Sequence, residues 1–309
     1  MKTNFGSRRA IAGAAWTGML LASTAASAAK EAQILPPSSN WQLDYSPTSC
    51  KLARAFGEGD DKVVLLLTRY SPSPRMSMTL SGAMMKRLPG RGDVAIRFHD
   101  GAEPQDIMFF QGNLGETPAL IAADGLYIRP EKDRDPSVES DEGLFDSAAE
   151  QADAQADLDE ADKATYLWFD APFHRPVKLE TGALGKPYRA FNQCLKELVT
   201  HWGVDAERYA ARTHNPKPIN EPVRWITSKD YPSDMLRKGG QGIVHFRLTV
   251  GPDGKVADCN IQGGTEGDAF RDVTCATIRK RATFEPARDS EGQPMTGYFL
   301  STVRFEMPY

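Results

Sequence analysis

The chain lacks the short motifs that mark most enzymes. Its five histidines, His99, His174, His201, His214 and His245, include no pair at metal-ligand spacing. There is no Gly-x-Ser-x-Gly elbow, and Gly239-Gly240-Gln241-Gly242 has neither the lysine nor the following helix of a phosphate loop. Asp133-Arg134-Asp135 and Asp157-Leu158-Asp159-Glu160 lack the glycine and terminal glutamate of an EF-hand. Basic clusters are equally scarce. After residue 30 the one short run is Arg279-Lys280-Arg281, which reads as the solvated face of a helix, so no nucleic-acid partner is expected. No catalytic residue, metal or cofactor is assigned, and the expectation is a binding protein, not an enzyme.

Cysteine is sparse too, with four in 309 residues. How to read them depends on the N-terminus. Lys2, Arg8 and Arg9 precede an uncharged stretch at 10–29 that ends in Ala26-Ser27-Ala28, the pattern of an export signal removed after Ala28. The apolar stretch is also long enough to span a bilayer, which leaves an inner-membrane anchor at 10–29 as the alternative. Ser7-Arg8-Arg9 is similar to a twin-arginine signal, but Ala10-Ile11-Ala12 departs from its usual continuation. Loss of residues 1–28 removes three positive charges and takes the net charge from -4 to -7. Export places Cys50, Cys194, Cys259 and Cys275 in an oxidising compartment, where disulfides are the default.

The last eighty-odd residues form a strand, strand, helix, strand pattern. In 242–250, Val244, Phe246, Leu248 and Val250 alternate with Ile243, His245, Arg247 and Thr249, which predicts a half-buried strand with His245 on its solvent side. Pro252-Asp253-Gly254 supplies turn chemistry, so 255–262 should return antiparallel. Asp268 is a helix N-cap candidate. Phe270, Cys275, Ile278 and Ala282 fall on one helical stripe, although Arg271 and Thr274 intrude on it. That stripe faces the sheet and brings Cys275 to Cys259. Cys50 is then expected to pair with Cys194. The helix ends at Phe284-Glu285-Pro286, and 296–307 alternates as a last strand.

Five motifs in order carry a resemblance: Asp230-Tyr231-Pro232 before a short helix, Gly242-Ile243-Val244-His245-Phe246, Gly251-Pro252-Asp253-Gly254-Lys255, Phe284-Glu285-Pro286-Ala287, and Thr302-Val303-Arg304-Phe305. Together they resemble the C-terminal domain of the TonB energy-transducer family, over roughly the last quarter of the chain. The resemblance implies a periplasmic domain that grips an extended segment of an outer-membrane receptor by β-strand addition, linked to transmembrane transport. The gripping edge it implies is the last strand: Tyr298, Phe299, Leu300, Ser301, Thr302, Val303, Arg304 and Phe305. The same edge could instead pair two copies as a homodimer. The family's long proline-rich spacer is absent here. An alternative is therefore a secreted module of the same fold that binds another envelope protein or cell-wall material without transmitting force.

Upstream, short β-rich runs at 41–45, 51–56, 62–70, 75–82, 93–99, 105–111 and 125–129 are separated by turn signals, and 165–170 adds another. They predict an antiparallel sandwich or open barrel. A helix follows at 187–202, with Tyr188, Phe191, Leu195, Leu198 and Trp202 on one stripe and Cys194 at its margin. The stretch 131–163 holds thirteen Asp or Glu against three Lys or Arg and reads as a solvated insert with a marginal helix at 147–161. The expected class is α+β. Its parts are a mainly β domain at 40–203, a proline-containing linker at 204–222 and the C-terminal domain at 223–309.

Overall fold

The computed structural model describes residues 31–133, 148–170, 172–202, 208–209, 211–264 and 268–307. The export-signal and anchor readings of residues 1–29 fall outside them, as does the middle of the acidic insert. No helix among the described residues is long and apolar enough to cross a membrane.

Ten strands make one sheet: β1 (Gln33–Leu35), β2 (Gln42–Ser46), β3 (Ser49–Phe56), β4 (Val63–Arg69), β5 (Met76–Gly82), β6 (Arg91–Arg97), β7 (Gln105–Leu114), β8 (Thr117–Leu126), β9 (Leu167–Phe169) and β10 (Val177–Leu179). Their order is β1-β10-β9-β6-β7-β8-β5-β4-β3-β2. All pairings are antiparallel except β1 with β10. The two ends of the sheet meet because the chain leaving β1 crosses to β3. Ser38 N–H donates to the Ala55 carbonyl at 2.9 Å, and Gly57 N–H donates to that of Pro36 at 2.8 Å. The sheet is therefore a curled barrel. Inward residues such as Leu65, Leu80, Phe109 and Phe169 form one apolar core.

The expected strand at 125–129 is only the end of β8, which begins at Thr117 after a two-residue turn at Gly115-Glu116. Pro118, Ala119, Ala122 and Ala123 are poor strand formers by composition, and pairing with β5 and β7 on both sides outweighs that.

Helix α1 (Ala148–Lys163) belongs to the acidic insert, and part of it is not a solvated face. The Arg129 guanidinium pairs with Asp153 and, at 3.3 Å, with Asp157, and both carboxylates are buried. Burial pulls the Arg129 pKa down, but the two carboxylates outweigh it and hold it above its ordinary value. Helix α2 (Gly185–Thr200) buries Tyr188, Phe191, Cys194, Leu195 and Leu198 against β3 and β2, matching the predicted stripe. Cys50 is bonded to Cys194 and Cys259 to Cys275.

The second sheet is small. After β11 (Lys217–Pro218) and the short helix α3 (Ser233–Lys238) come β12 (Gly242–Val250), β13 (Val256–Gly264) and helix α4 (Asp268–Arg281). The chain closes with β14 (Phe284–Glu285), β15 (Ala287–Arg288), β16 (Pro294–Met295) and β17 (Gly297–Phe305). The sheet order is β13-β12-β17, all antiparallel. At the β12–β13 turn Gly254 adopts φ +74°, and a side chain there would strike the Phe284 carbonyl. Phe284 N–H donates to the Gly254 carbonyl at 2.9 Å.

Two expectations need correction. β12 is not half-buried but buried on both faces: Val244, Phe246, Leu248 and Val250 are covered from the α4 side, and Ile243, His245 and Arg247 are buried as well. The second cover is the barrel. His245 is 7% exposed and stacks on Tyr70 at 4.3 Å, so it does not face solvent. Among the described residues of the expected linker, Tyr209 is buried and stacked on Tyr298, and β11 pairs with β14.

If Arg129 anchors α1, Arg129→Met strands two buried carboxylates and should cost about 3 kcal/mol. Hydrogen exchange should accelerate through 148–163 while β12 stays protected. Unchanged exchange in α1 would show that the ion pairs do not hold it.

Candidate functional site

β17 pairs with β12 along its whole length, Gly242 opposite Phe305 through Val250 opposite Gly297, and with no other strand among the described residues. All eight residues expected to form the gripping edge lie on it. Alternation divides them between two faces. Phe299, Val303 and Phe305 pack on the α4 side, with Phe305 stacked on Phe270 at 4.4 Å. On the barrel side, Tyr298 meets Trp202 and Tyr209, each at 4.7 Å, and Thr302 hydrogen-bonds His245 at 2.9 Å.

Beside the second half of this edge runs a groove of about 630 Å³ lined by Ser301 to Glu306. Its floor is Phe246 and Ile278, and its far wall is the segment 222–236. Val223 is 79% exposed and Leu236 45%, so the wall presents apolar side chains to solvent. Trp225, by contrast, is buried. Its Nε1–H donates to Asn220 Oδ1 at 2.9 Å, and its ring lies 5.4 Å from Phe284 and 5.7 Å from Phe299.

The wall is held to the end of α4 by Asp230. Both Asp230 oxygens accept from the Arg281 guanidinium, at 2.7 and 2.8 Å, and the carboxylate also accepts from Thr227 N–H and its hydroxyl. The Arg281 hydrogen bonds, followed by those from Thr227, hold the Asp230 pKa far below the usual carboxylate range. Arg281 also donates to the Trp225 carbonyl at 2.9 Å. In the sequence, Asp230-Tyr231-Pro232 stands only as a motif before a short helix, with nothing in it that marks a groove wall. The available signal was Val223, Trp225 and Ile226 set between Pro222 and that motif.

Among the described residues no group of three or more His, Cys, Asp or Glu is placed to hold a metal ion. The arrangement offers hydrogen-bonding backbone at a strand edge with an apolar trough next to it. That suits an extended peptide better than a small reactive substrate.

Residues 227–307 match the family described as Gram-negative bacterial TonB protein C-terminal. This TonB C-terminal match takes in α3, β12, β13, α4 and β17, and starts after the barrel. Protein TonB of Pseudomonas putida is 37% identical over 65 residues, which is 21% of this chain. The aligned part spans 27% of that relative's own length. No solved structure matches the chain.

Asp230 yields a pH-dependent prediction. Its folded pKa is depressed, so its contribution is complete above the unfolded value of about 4 and is lost as pH falls below that. The Asp230→Asn variant should be less stable by about 1 kcal/mol at pH 7, a modest figure because Arg281 stands partly in solvent and screens the pair. Denaturant melts at pH 7 and pH 3 should show the gap between the two proteins closing in acid. A gap that is constant or wider at pH 3 contradicts the assignment.

Proposed function

We propose that this is a periplasmic, TonB-like binding protein that captures an extended segment of an outer-membrane receptor by adding it as a fourth strand beside β17. Capture serves receptor-coupled transport. The observation that carries this reading is that β17 pairs on one side only among the described residues, next to an apolar groove along Ser301 to Glu306. Main-chain hydrogen bonds at an open edge supply affinity, and the groove sorts alternate side chains. The match of residues 227–307 to the TonB C-terminal family supports the same partner class. The reading is non-catalytic.

One observation favours a second reading. The barrel covers the far face of β12, and Trp202 and Tyr209 close around Tyr298. A domain fixed to a barrel in this way suits a secreted module that binds another envelope protein without force transmission. Both readings use the same edge. A homodimer through β17 would occupy that edge and compete with capture.

Neighbouring prolines separate edge capture from simple misfolding. Along an antiparallel edge strand, N–H groups point alternately to the partner strand and outward. Of Ser301→Pro and Thr302→Pro, one therefore breaks the β12 ladder and lowers stability, and the other removes an outward donor. The better-folded variant should bind a receptor-derived peptide at least tenfold more weakly than the parent, read by fluorescence anisotropy. Full binding by both variants would refute edge addition. Sedimentation of the unbound parent separates the dimer, since a β17-paired dimer would dissociate as peptide is added.

A further inference from the structure

Where β13 and α4 of the C-terminal sheet meet the outer wall of β3, β4, β5 and β8 there is a cleft of about 370 Å³. Its size falls in the range of about 300–1,000 Å³ typical of small-molecule sites. It lies on the other side of β12 from the groove beside β17. Two buried polar atoms in its lining have no hydrogen-bond partner, the Gln262 carbonyl oxygen Oε1 and the Arg271 nitrogen Nε. Gln262 is 5% exposed, and its other side-chain atom, Nε2, is already committed to the Tyr70 carbonyl at 3.1 Å. Its backbone carbonyl is taken by Thr48 Oγ1 at 2.9 Å. Buried polar groups of this kind are ordinarily paired, so these atoms mark Gln262 and Arg271 as the side chains of this lining that the protein itself leaves least satisfied.

The rest of the lining limits what that ligand can be. Lys51 adds a second positive charge, and among the described residues no lining side chain is a carboxylate. Lys51 has only a distant partner, Asp44 at 3.9 Å. Hydroxyl groups are dense, with Ser49, Thr68, Ser77 and Thr79 on successive barrel strands and Tyr70 at the inner end. Burial pushes the Tyr70 pKa up to about 12, so it keeps its proton and can donate. A Cβ on Gly263 would lie 2.9 Å from the Tyr70 hydroxyl, so glycine here lets the phenol sit against β13. Leu66 and Ile121 supply a small apolar patch. The cleft thus offers cations for an acid, an acceptor for a hydroxyl, many hydroxyl partners, and an apolar patch for C–H groups.

We propose that this cleft binds an acidic sugar, with its carboxylate on Arg271 and Lys51 and a ring hydroxyl donating to Gln262 Oε1. The site is separate from the β17 edge, so the two stand or fall independently. The carboxylate is the main determinant because Arg271 has no ion-pair partner among the described residues and a charge-assisted hydrogen bond is the strongest contact the lining can make. A neutral sugar satisfies Gln262 and leaves Arg271 unpaired. A bare anion does the reverse.

The test is calorimetric titration of the full chain with sodium glucuronate, with glucose and with inorganic phosphate. Glucuronate is expected to bind saturably, at least tenfold more tightly than either control. Arg271→Gln should weaken it at least tenfold and Lys51→Gln by a smaller factor, with both variants melting within a few degrees of the parent. If Arg271→Gln is destabilised, the decision passes to Lys51→Gln, which lies on the barrel and must still weaken glucuronate selectively. Absence of saturable glucuronate binding overturns the proposal. So does phosphate binding as tightly as glucuronate, which makes this an anion site only, or glucose binding as tightly, which makes the acid irrelevant. Glucuronate affinity unchanged in both variants overturns it too.

Discussion

The structure of the C-terminal half depends on covering the second face of β12. A strand's side chains alternate between faces, so Ile243, His245 and Arg247 point away from α4 wherever that helix packs. Burying a histidine and an arginine is costly unless each finds partners. Here the barrel and the connecting segment supply them: Tyr70 stacks on His245, and the Arg247 guanidinium lies 4.5 Å above the Trp202 ring. Burial lowers the Arg247 pKa from its ordinary value. Thr302 of β17 completes the His245 environment, which couples the edge strand to the barrel.

The coupling makes the open edge two-sided. A strand added beside β17 would send alternate side chains to opposite faces of the sheet. One set would meet the groove of Val223, Ile226 and Leu236, and the other would meet barrel residues Ser71, Ser73 and Arg75, which line a smaller recess with Leu300 to Thr302. An isolated domain with the same β13-β12-β17 topology would read only the first set. With edge capture as proposed, the barrel would form part of the surface that a captured strand meets.

Local pattern made much of this legible. β12 and α4 fall where period two and period 3.6 place them, and β17 differs from its reading by a residue or two at each end. The faces of Cys259 and Cys275 pointed to one bridge, and Cys50–Cys194 followed as the remaining pair. What sequence periodicity could not supply was the environment of a polar face. His245 and Arg247 alternate just as solvent-facing residues would, and only the distant Tyr70 and Trp202 make them internal. Thr274 shows the same limit inside a helix: it intrudes on an apolar stripe yet is fully buried, because its hydroxyl donates to the Phe270 carbonyl at 2.7 Å. The groove wall was missed for a related reason. Trp225 becomes a wall residue only through Phe284 and Phe299, some sixty to seventy residues later.

The packing of Tyr209, Thr213 and β11 bears on how load could pass through the molecule. If those residues were a free tether, tension between barrel and edge strand would stretch the tether first. Instead Tyr209 is stacked on Tyr298, Thr213 N–H donates to the Arg288 carbonyl at 2.8 Å, and β11 is paired with β14. Tension that reached Tyr209 would meet the Tyr298 cluster and the β11–β14 pair. The Cys259–Cys275 bridge keeps β13 and α4 together while that happens. Load on a captured strand would run along β17 in shear, against the nine-residue β12 ladder. His245, itself stacked on Tyr70, would add a side-chain tie to Thr302 near the middle of that ladder.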